Sequence, residues 1–230
     1  MRKSVLFGAL IAAATFVTSA PAATVDINSY DNGWYNSSGV HNSNIDNTIT
    51  GACCGAAEYR NWYAFDLSAV SGPATGASIT FYANGNYDSP DASETYQLND
   101  YSGDIAALVA GGSGLTAIFD DLGDGDIYGS VEYVGVAGVV SPMVQFTINL
   151  SLAALTDINA AMLGDGQFAL GGMLTTLSGQ TQLYENLFSK SSGVPAAFLS
   201  IEVADVPEPA TLGLLGLGLA GFGLARRRRS

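Results

Sequence analysis

Between about Val25 and Asp205, apolar and polar residues alternate in short runs, and this period of two constrains the fold more than any other feature. In the run VQFTINL, one face of the predicted strand carries Val144, Phe146, Ile148 and Leu150. The same alternation recurs in NWYAFDL, SITFYA and AFLSIEV, and TYQL, DIYGSVEYV and GQFALGG are further strand candidates. Turn signals separate these runs, at Asn84-Gly85, Ser89-Pro90 and Asp124-Gly125. The sequence therefore predicts an all-β domain, either a β-sandwich or a jelly roll.

One or two short helices interrupt this pattern. The run SLAALTDINAAML has Ser151 as a plausible N-cap, Leu152, Leu155 and Ile158 on one face, and Gly164 as a stop signal. The run DIAALVAGG is a second helix candidate. We expect each helix to cover an open edge or end of the sandwich.

The N-terminus has the three parts of a secretory signal peptide. Arg2 and Lys3 precede the apolar run VLFGALIAAATFVTSA, and Ala20-Pro21-Ala22 provides a cleavage site of the A-x-A type. We expect cleavage after Ala22 or Ala23. An uncleaved N-terminal membrane anchor is the alternative.

The C-terminus, VPEPATLGLLGLGLAGFGLARRRRS, combines a proline-flanked glutamate, an uncharged run and an arginine cluster. Residues 210–225 carry no charge and would reach about 24 Å as a helix, against a hydrocarbon core of about 30 Å. The positive-inside rule keeps the cluster in the cytoplasm, and its members are Arg226, Arg227, Arg228 and Arg229. A simple tail anchor is one interpretation.

The order of these features closely resembles the PEP-CTERM sorting signal of Gram-negative bacteria. Pro207, Glu208 and Pro209 match the motif that names the family, and the Gly/Leu run and terminal arginines match the rest. The resemblance implies a partner, an exosortase-type membrane protease, which removes the tail near the motif. It also implies a route: an inner-membrane precursor that is released to the cell surface or to the exopolysaccharide matrix.

We therefore divide the chain into three parts. A signal peptide covers residues 1–23, an exported β-sandwich domain covers 24–205, and the sorting signal covers 206–230. Within the sorting signal, the motif occupies 206–209, a transmembrane helix 210–225 and a basic tail 226–230.

The exported domain is strongly acidic. The whole chain has 8 Lys and Arg residues against 21 Asp and Glu residues, and six of the basic residues lie in the two ends. Arg60 and Lys190 remain in the central region, and Glu208 is the one acidic residue outside it, so two positive and 20 negative charges give residues 24–205 a net charge of −18. Such a domain repels nucleic acids and anionic membranes, and neither is expected as a partner.

A second resemblance lies in the run YRNWYAFDLSAVSGPATGASITFYA, which is similar to secreted jelly-roll modules, some of which bind carbohydrate. The matching residues are Arg60, Phe65, Asp66, Leu67 and Ser68. We expect a non-enzymatic structural or surface role, with exopolysaccharide as a second partner. A carbohydrate-binding module is the first alternative, and a secreted glycan-active enzyme is the second.

The chain offers little for histidine or cysteine chemistry. His41 is the only histidine and lies in a polar run, where we expect it at the surface. Cys53 and Cys54 are adjacent and are the only cysteines, so export predicts oxidation. A vicinal disulfide is the favoured state; a bond from each cysteine to another chain, and a redox or metal role, are alternatives.

Two acidic runs are candidate calcium sites, because calcium prefers carboxylate oxygens on a flexible loop. FDDLGDGDIYG is the stronger candidate, and the alternative there is an acidic turn that leads into a strand. YDSPDASETY, with Asp88, Asp91 and Glu94, is the weaker one. The carboxylates of the stronger candidate belong to Asp120, Asp121, Asp124 and Asp126.

Aromatic residues in DNGWYNSSG are candidates for glycan binding, since flat rings stack on sugar faces. We expect Trp34 and Tyr35 to form an exposed pair in this Asn- and Ser-rich run. Trp62 and Tyr63 lie within a predicted strand, where the core is their expected place.

Overall fold

A computed structural model describes residues 23–204 except 56, 83–85, 143–144, 179–183 and 189–194. The described residues belong to one unit, Ala22–Ala204. The predicted signal sequence before residue 23, the sorting motif and the predicted transmembrane helix lie outside the described residues.

The described chain is mostly β, with thirteen strands and three helices in its described ranges. The elements in chain order are β1 (Ala23–Asn28), β2 (Asp31–Asn36), β3 (Thr50–Cys53), β4 (Ala57–Asp66), β5 (Ala74–Phe81), β6 (Asn86–Asp88), β7 (Ser93–Asp100), α1 (Ile105–Ala110), α2 (Thr116–Asp121), β8 (Ile127–Val134), β9 (Ser141–Pro142), β10 (Phe146–Asn149), α3 (Leu152–Leu163), β11 (Gln167–Leu174), β12 (Glu185–Leu187) and β13 (Ala197–Val203).

These strands form two antiparallel sheets in a sandwich-like arrangement, as the alternating pattern predicted. The smaller sheet has the order β1-β13-β5-β10. The larger sheet has the order β8-β7-β11-β4-β3-β12-β6-β9, and β2 also pairs with β4. Strands β3, β12 and β6, which are far apart in sequence, therefore become neighbours.

The main core lies between the sheets and is rich in aromatic rings. Phe81 of the smaller sheet is 5.2 Å from Tyr63 and 5.6 Å from Tyr96 of the larger sheet, measured between ring centroids. The predicted inward faces of β5 and β13 are confirmed, because Ile79 and Leu199 are fully buried. Each buried ring removes a large apolar area from water, so the packing of these rings helps to hold the two sheets together.

A second apolar cluster covers the opposite face of β4. Trp62 and Ala64 are buried there against Leu108 of α1 and Phe119 of α2. Strand β4 is therefore buried on both faces, whereas its alternation predicted burial of one. Trp62 and Tyr63 both lie in the core, as expected.

Helix α3 begins and ends at the predicted residues, but the helices differ from the prediction in two other respects. Ser151 caps α3 through its Oγ atom, which accepts a hydrogen bond from the backbone N–H of Ala154, and Gly164 ends the helix. However, Leu152 is 80% exposed, so it does not share the buried face of Ile158. Helix α2 was not predicted at all.

Among the described residues, no helix has the length and apolar character needed to cross a bilayer.

Candidate functional site

A cavity of about 290 Å³ opens on the larger sheet, where strands β2, β4, β3, β12 and β6 lie side by side. Three aromatic residues, three asparagines and one carboxylate line it, together with both cysteines. These lining residues are Trp34, Tyr59, Tyr184, Asn47, Asn86, Asn186, Asp88, Cys53 and Cys54. Its volume is at the small end of the range for ligand pockets, roughly 300–1,000 Å³.

The aromatic wall of the cavity is held in a fixed arrangement. The rings of Trp34 and Tyr59 meet edge to face, with centroids 4.9 Å apart and planes at 76°. Trp34 also donates a hydrogen bond from Nε1 to Oδ1 of Asn47. Tyr184 is 55% exposed and offers an accessible ring on the same cavity. The cavity thus combines a fixed aromatic edge with an open aromatic face.

Tyr35 is not the exposed partner of Trp34 that the sequence predicted. Its side chain is fully buried in the cluster under α1, and its hydroxyl donates a hydrogen bond of 2.8 Å to the carbonyl of Leu108. This burial raises the pKa of Tyr35 to about 12. Successive side chains of a strand point to opposite faces, so two adjacent residues of β2 cannot both line one cavity.

The polar wall of the cavity places a carboxylate and an amide side by side. Asn186 of β12 lies directly opposite Asp88 of β6 in the antiparallel ladder, so both side chains project from one side of the sheet. The Oδ1 atom of Asn186 is buried and has no hydrogen-bond partner among the described residues. Burial raises the pKa of Asp88 above its ordinary value.

Cys53 and Cys54 are joined in a vicinal disulfide at one end of the cavity. Cys53 is buried, Cys54 is exposed, and Cys54 has a positive φ of 57°. Because a left-handed backbone is uncommon for a side chain with a Cβ atom, the bonded pair fixes a local conformation that two free thiols would not require.

The intact mass of the exported protein should show this bond. We expect a value about 2 Da below that of the dithiol form under non-reducing conditions, because the bond requires the loss of two hydrogen atoms. Reduction with a dithiol should raise the mass by about 2 Da, to that of the dithiol form. A Cys53→Ser/Cys54→Ser variant should show no change of mass on reduction. A dithiol mass before reduction, or a disulfide-linked dimer, would contradict this pairing.

His41 is not a surface residue, contrary to the expectation from its polar run. It is 5% exposed, and its ring lies 5.0 Å from Tyr35 and 5.6 Å from Trp62 between centroids. Gly33 makes room for it, since a Cβ atom there would come within 2.7 Å of the imidazole Cε1. Burial lowers the pKa of His41, so the ring is a neutral part of the aromatic packing.

The predicted calcium loop is not assembled as a metal site in the described structure. Asp120 and Asp121 belong to α2, and the carboxylate of Asp121 accepts hydrogen bonds from the backbone N–H groups of Ser102 and Gly103 at 3.1 and 3.0 Å. Asp124 accepts from the next backbone N–H in its own turn. Asp121 and Asp124 thus hold local backbone, and the four carboxylates do not form a convergent group in the described structure, where Asp126 leads into β8.

Three other carboxylates do converge, and the weaker of the two acidic runs supplies two of them. Ligand atoms of Asp91, Glu94 and Glu185 lie within 4.8 Å of one another, and they form the one such group among the described residues. Glu94 and Glu185 are buried, whereas Asp91 is exposed. Asp88 lines the cavity described above instead of joining this acidic group.

Hydrogen bonds hold both buried carboxylates in place. Glu94 accepts from Oγ of Ser89 at 2.6 Å and from the hydroxyl of Thr176. Glu185 accepts from the backbone N–H and the Oγ of Ser178 at 2.6 and 2.9 Å. Burial first, and then repulsion from Glu185, raise the pKa of Glu94 despite its hydrogen bonds. These residues are the ones that could hold a cation or share a proton.

A second cavity, of about 260 Å³, contains two more carboxylates. Asp157 accepts a hydrogen bond of 2.7 Å from the hydroxyl of Tyr128, and Asp100 accepts one of 2.7 Å from the backbone N–H of Asp126. Burial raises the pKa of Asp100. Both carboxylates are therefore engaged in structural hydrogen bonds.

The C-terminal tail matches a known protein-family model. A family model described as the PEP-CTERM protein-sorting motif matches residues 205–229. The chain carries a PEP-CTERM sorting motif. This match includes Pro207, Glu208 and Pro209 and reaches Arg229, as the resemblance implied. No protein of curated function matches the chain.

The PEP-CTERM motif establishes the export route in outline. It marks an exported protein that passes through a membrane-anchored precursor, is processed by an exosortase, and is sorted toward the cell surface. The motif covers none of the residues that form the two sheets or the cavity. The motif therefore carries no information on the activity of the exported domain.

Proposed function

We propose that the exported domain has a non-enzymatic role at the cell surface or in the exopolysaccharide matrix, and that it binds carbohydrate through the cavity of the larger sheet. The observation that carries this proposal is the combination of three aromatic residues with three asparagines in one small cavity. The PEP-CTERM motif supports a destination where polysaccharide is the abundant ligand.

The chemistry of the lining suits a sugar. The hydroxyl groups of a sugar donate and accept hydrogen bonds, and the amide groups of Asn86 and Asn186 can do both. The exposed ring of Tyr184 supplies a flat apolar surface for the C–H face of a pyranose, and Trp34 lines the same cavity. The volume of the cavity suits one or two sugar units of a polymer and not a large folded ligand.

The other features of the domain are consistent with binding and not with histidine-dependent catalysis. His41 is enclosed by aromatic rings, and its burial keeps the imidazole neutral. The carboxylates of the second cavity are each held by a hydrogen bond from the fold. The net charge of −18 disfavours nucleic acid as the ligand.

Tyr184→Ala should weaken oligosaccharide binding by about tenfold or more, because the ring is the accessible stacking surface of the cavity. A tenfold loss corresponds to about 1.4 kcal/mol, which is the scale of a good aromatic contact. The measurement is calorimetric titration of the mature exported protein with a panel of neutral, amino and acidic oligosaccharides. Release of reducing ends from the same oligosaccharides, which we expect to be undetectable, tests the non-enzymatic role.

Tyr30→Ala is the matched control, because Tyr30 is 42% exposed and lies outside the cavity lining. It should bind as the wild-type protein does. Equal losses in both variants, or no binding of any oligosaccharide by the wild-type protein, would contradict the proposed function.

A further inference from the structure

We infer that the cavity selects a basic amino sugar, whose ammonium group is held between the carboxylate of Asp88 and the Oδ1 atom of Asn186. This inference rests on the carbohydrate-binding function proposed above and names the class of sugar. It depends on three features of the cavity: two neighbouring acceptors without a donor, the absence of a cation from its described lining, and the nearby aromatic rings.

The acceptors lie together and lack donors. Asp88 and Asn186 are paired across β6 and β12, so their side chains are neighbours on one side of the sheet. The Oδ1 atom of Asn186 is buried without a hydrogen-bond partner, and no donor from the described residues reaches the carboxylate of Asp88. A buried acceptor without a partner is costly, and a ligand that brings donors removes that cost.

An ammonium group fits these acceptors better than a hydroxyl does. It carries three N–H donors, so one group can serve both Asp88 and Asn186, whereas a hydroxyl donates once. A hydrogen bond between opposite charges is also roughly twice as strong as a neutral one. The raised pKa of Asp88, caused by burial, is the sign of a carboxylate that lacks such a partner in the free protein.

No positive charge from the described part of the chain competes for the carboxylate of Asp88. The cavity lining contains no Lys, Arg or His among the residues that the structure describes. The guanidinium group of Arg60 is engaged elsewhere, by Glu58 and by the carbonyl groups of Phe119 and Asp120. A uronic acid or a sulfated sugar would place a second negative charge beside Asp88 with nothing to neutralise it.

The aromatic wall adds to this preference. Trp34, Tyr59 and Tyr184 line the same cavity, and the face of an aromatic ring attracts a cation. A sugar with a free amine can thus place its ammonium group at the acceptors and its C–H face on a ring.

The test is a direct comparison of three oligosaccharides of equal length on the mature exported protein. They are fully deacetylated glucosamine oligomers, the same oligomers N-acetylated, and uronic acid oligomers, titrated at pH 6, where the amine is protonated. We expect the deacetylated oligomer to bind at least about tenfold more tightly than the N-acetylated one, and the uronic acid oligomer to show no binding. The preference should fall as the pH is raised and the amine loses its proton.

Asp88→Asn should abolish this preference, so that the deacetylated and N-acetylated oligomers bind this variant with similar affinity. Asp120→Asn is the matched control, because it removes one negative charge from an exposed position outside the cavity, and it should keep the preference. The wild-type comparison needs no variant, so a failure of Asp88→Asn to fold does not prevent the test.

Two failures can be told apart. If the N-acetylated oligomer binds as tightly as the deacetylated one, or Asp88→Asn retains the preference, the amino-sugar inference is wrong and carbohydrate binding stands. If no oligosaccharide binds, the proposed function is wrong, and the inference falls with it.

Discussion

Loss of the exosortase should leave every molecule of this protein with its C-terminal tail intact and associated with the inner membrane. The reason is the PEP-CTERM match over residues 205–229. In the sequence, Pro207 and Pro209 lack amide hydrogens and disfavour helix in the preceding residues, so Glu208 is expected in an extended segment that a protease can bind. The measurement is mass spectrometry of the C-terminal peptide from a wild-type host and from a host that lacks the exosortase.

Two substitutions test whether processing depends on the motif itself or only on the loss of one negative charge. Glu208→Ala should block processing in the wild-type host, whereas Glu202→Ala, which removes an exposed glutamate from β13, should not. The same C-terminus in both hosts would rule out exosortase-dependent processing and favour a simple tail anchor.

The strands were predictable because a strand that is buried on one face needs an apolar residue at every second position. Ile79 and Phe81 are buried as their alternation indicates, and Ser151 and Gly164 mark the ends of α3 as local capping chemistry requires. Helix α2 has no side-chain N-cap, so it lacked the signal that identified α3.

The candidate site was only half predictable, because strands that are distant in sequence build it. Trp34 was identified from its local run, and it lines the cavity. Asn186 and Asp88 are about a hundred residues apart, and only the pairing of β12 with β6 makes them neighbours. No local pattern could have shown that the acceptor of Asn186 would be left without a partner.

The acidic group of Asp91, Glu94 and Glu185 is also built from segments that are distant in sequence. Asp91 and Glu94 lie in a run that was a weak calcium candidate, but Glu185 arrives from β12. The carboxylates of the stronger candidate do not converge in this structure, where Asp121 holds the loop at Ser102 and Gly103. The sequence shows which carboxylates are close along the chain, whereas only the folded structure shows which of them are close in space.

Lowering the pH from 8 to 5 should raise the melting temperature of the mature protein, and Glu94→Gln should reduce that rise. Burial, followed by repulsion from Glu185, raises the pKa of Glu94, so the folded state binds this proton more tightly than the unfolded state does. The unfolding free energy therefore increases as the pH falls through the folded-state pKa of Glu94, and the gain is complete below the unfolded value of about 4.3. At pH 8 we expect Glu94→Gln to be more stable than wild type by about 1–2 kcal/mol, because it removes one of two buried like charges.

Other groups titrate in this range, and the comparison of variants accounts for them. Burial also raises the pKa of Asp88 and Asp100, so they contribute in the same direction, whereas the lowered pKa of buried His41 costs stability as the pH falls below the ordinary histidine value. All three groups are present in both proteins, so the difference between wild type and Glu94→Gln isolates Glu94. Glu202→Gln, at an exposed position, should follow the wild-type curve.

Melting curves recorded in EDTA, in calcium and in magnesium distinguish protonation of Glu94 from binding of an ion. Protonation of Glu94 gives the same pH dependence in all three solutions. A calcium ion held by Asp91, Glu94 and Glu185 would instead raise the wild-type melting temperature at pH 8 more than magnesium does, and Glu94→Gln would lose that response. A Glu94→Gln curve that runs parallel to the wild-type curve between pH 5 and 8, or a Glu94→Gln variant that is less stable than wild type at pH 8, would show that the hydrogen bonds from Ser89 and Thr176 already offset the burial of this charge.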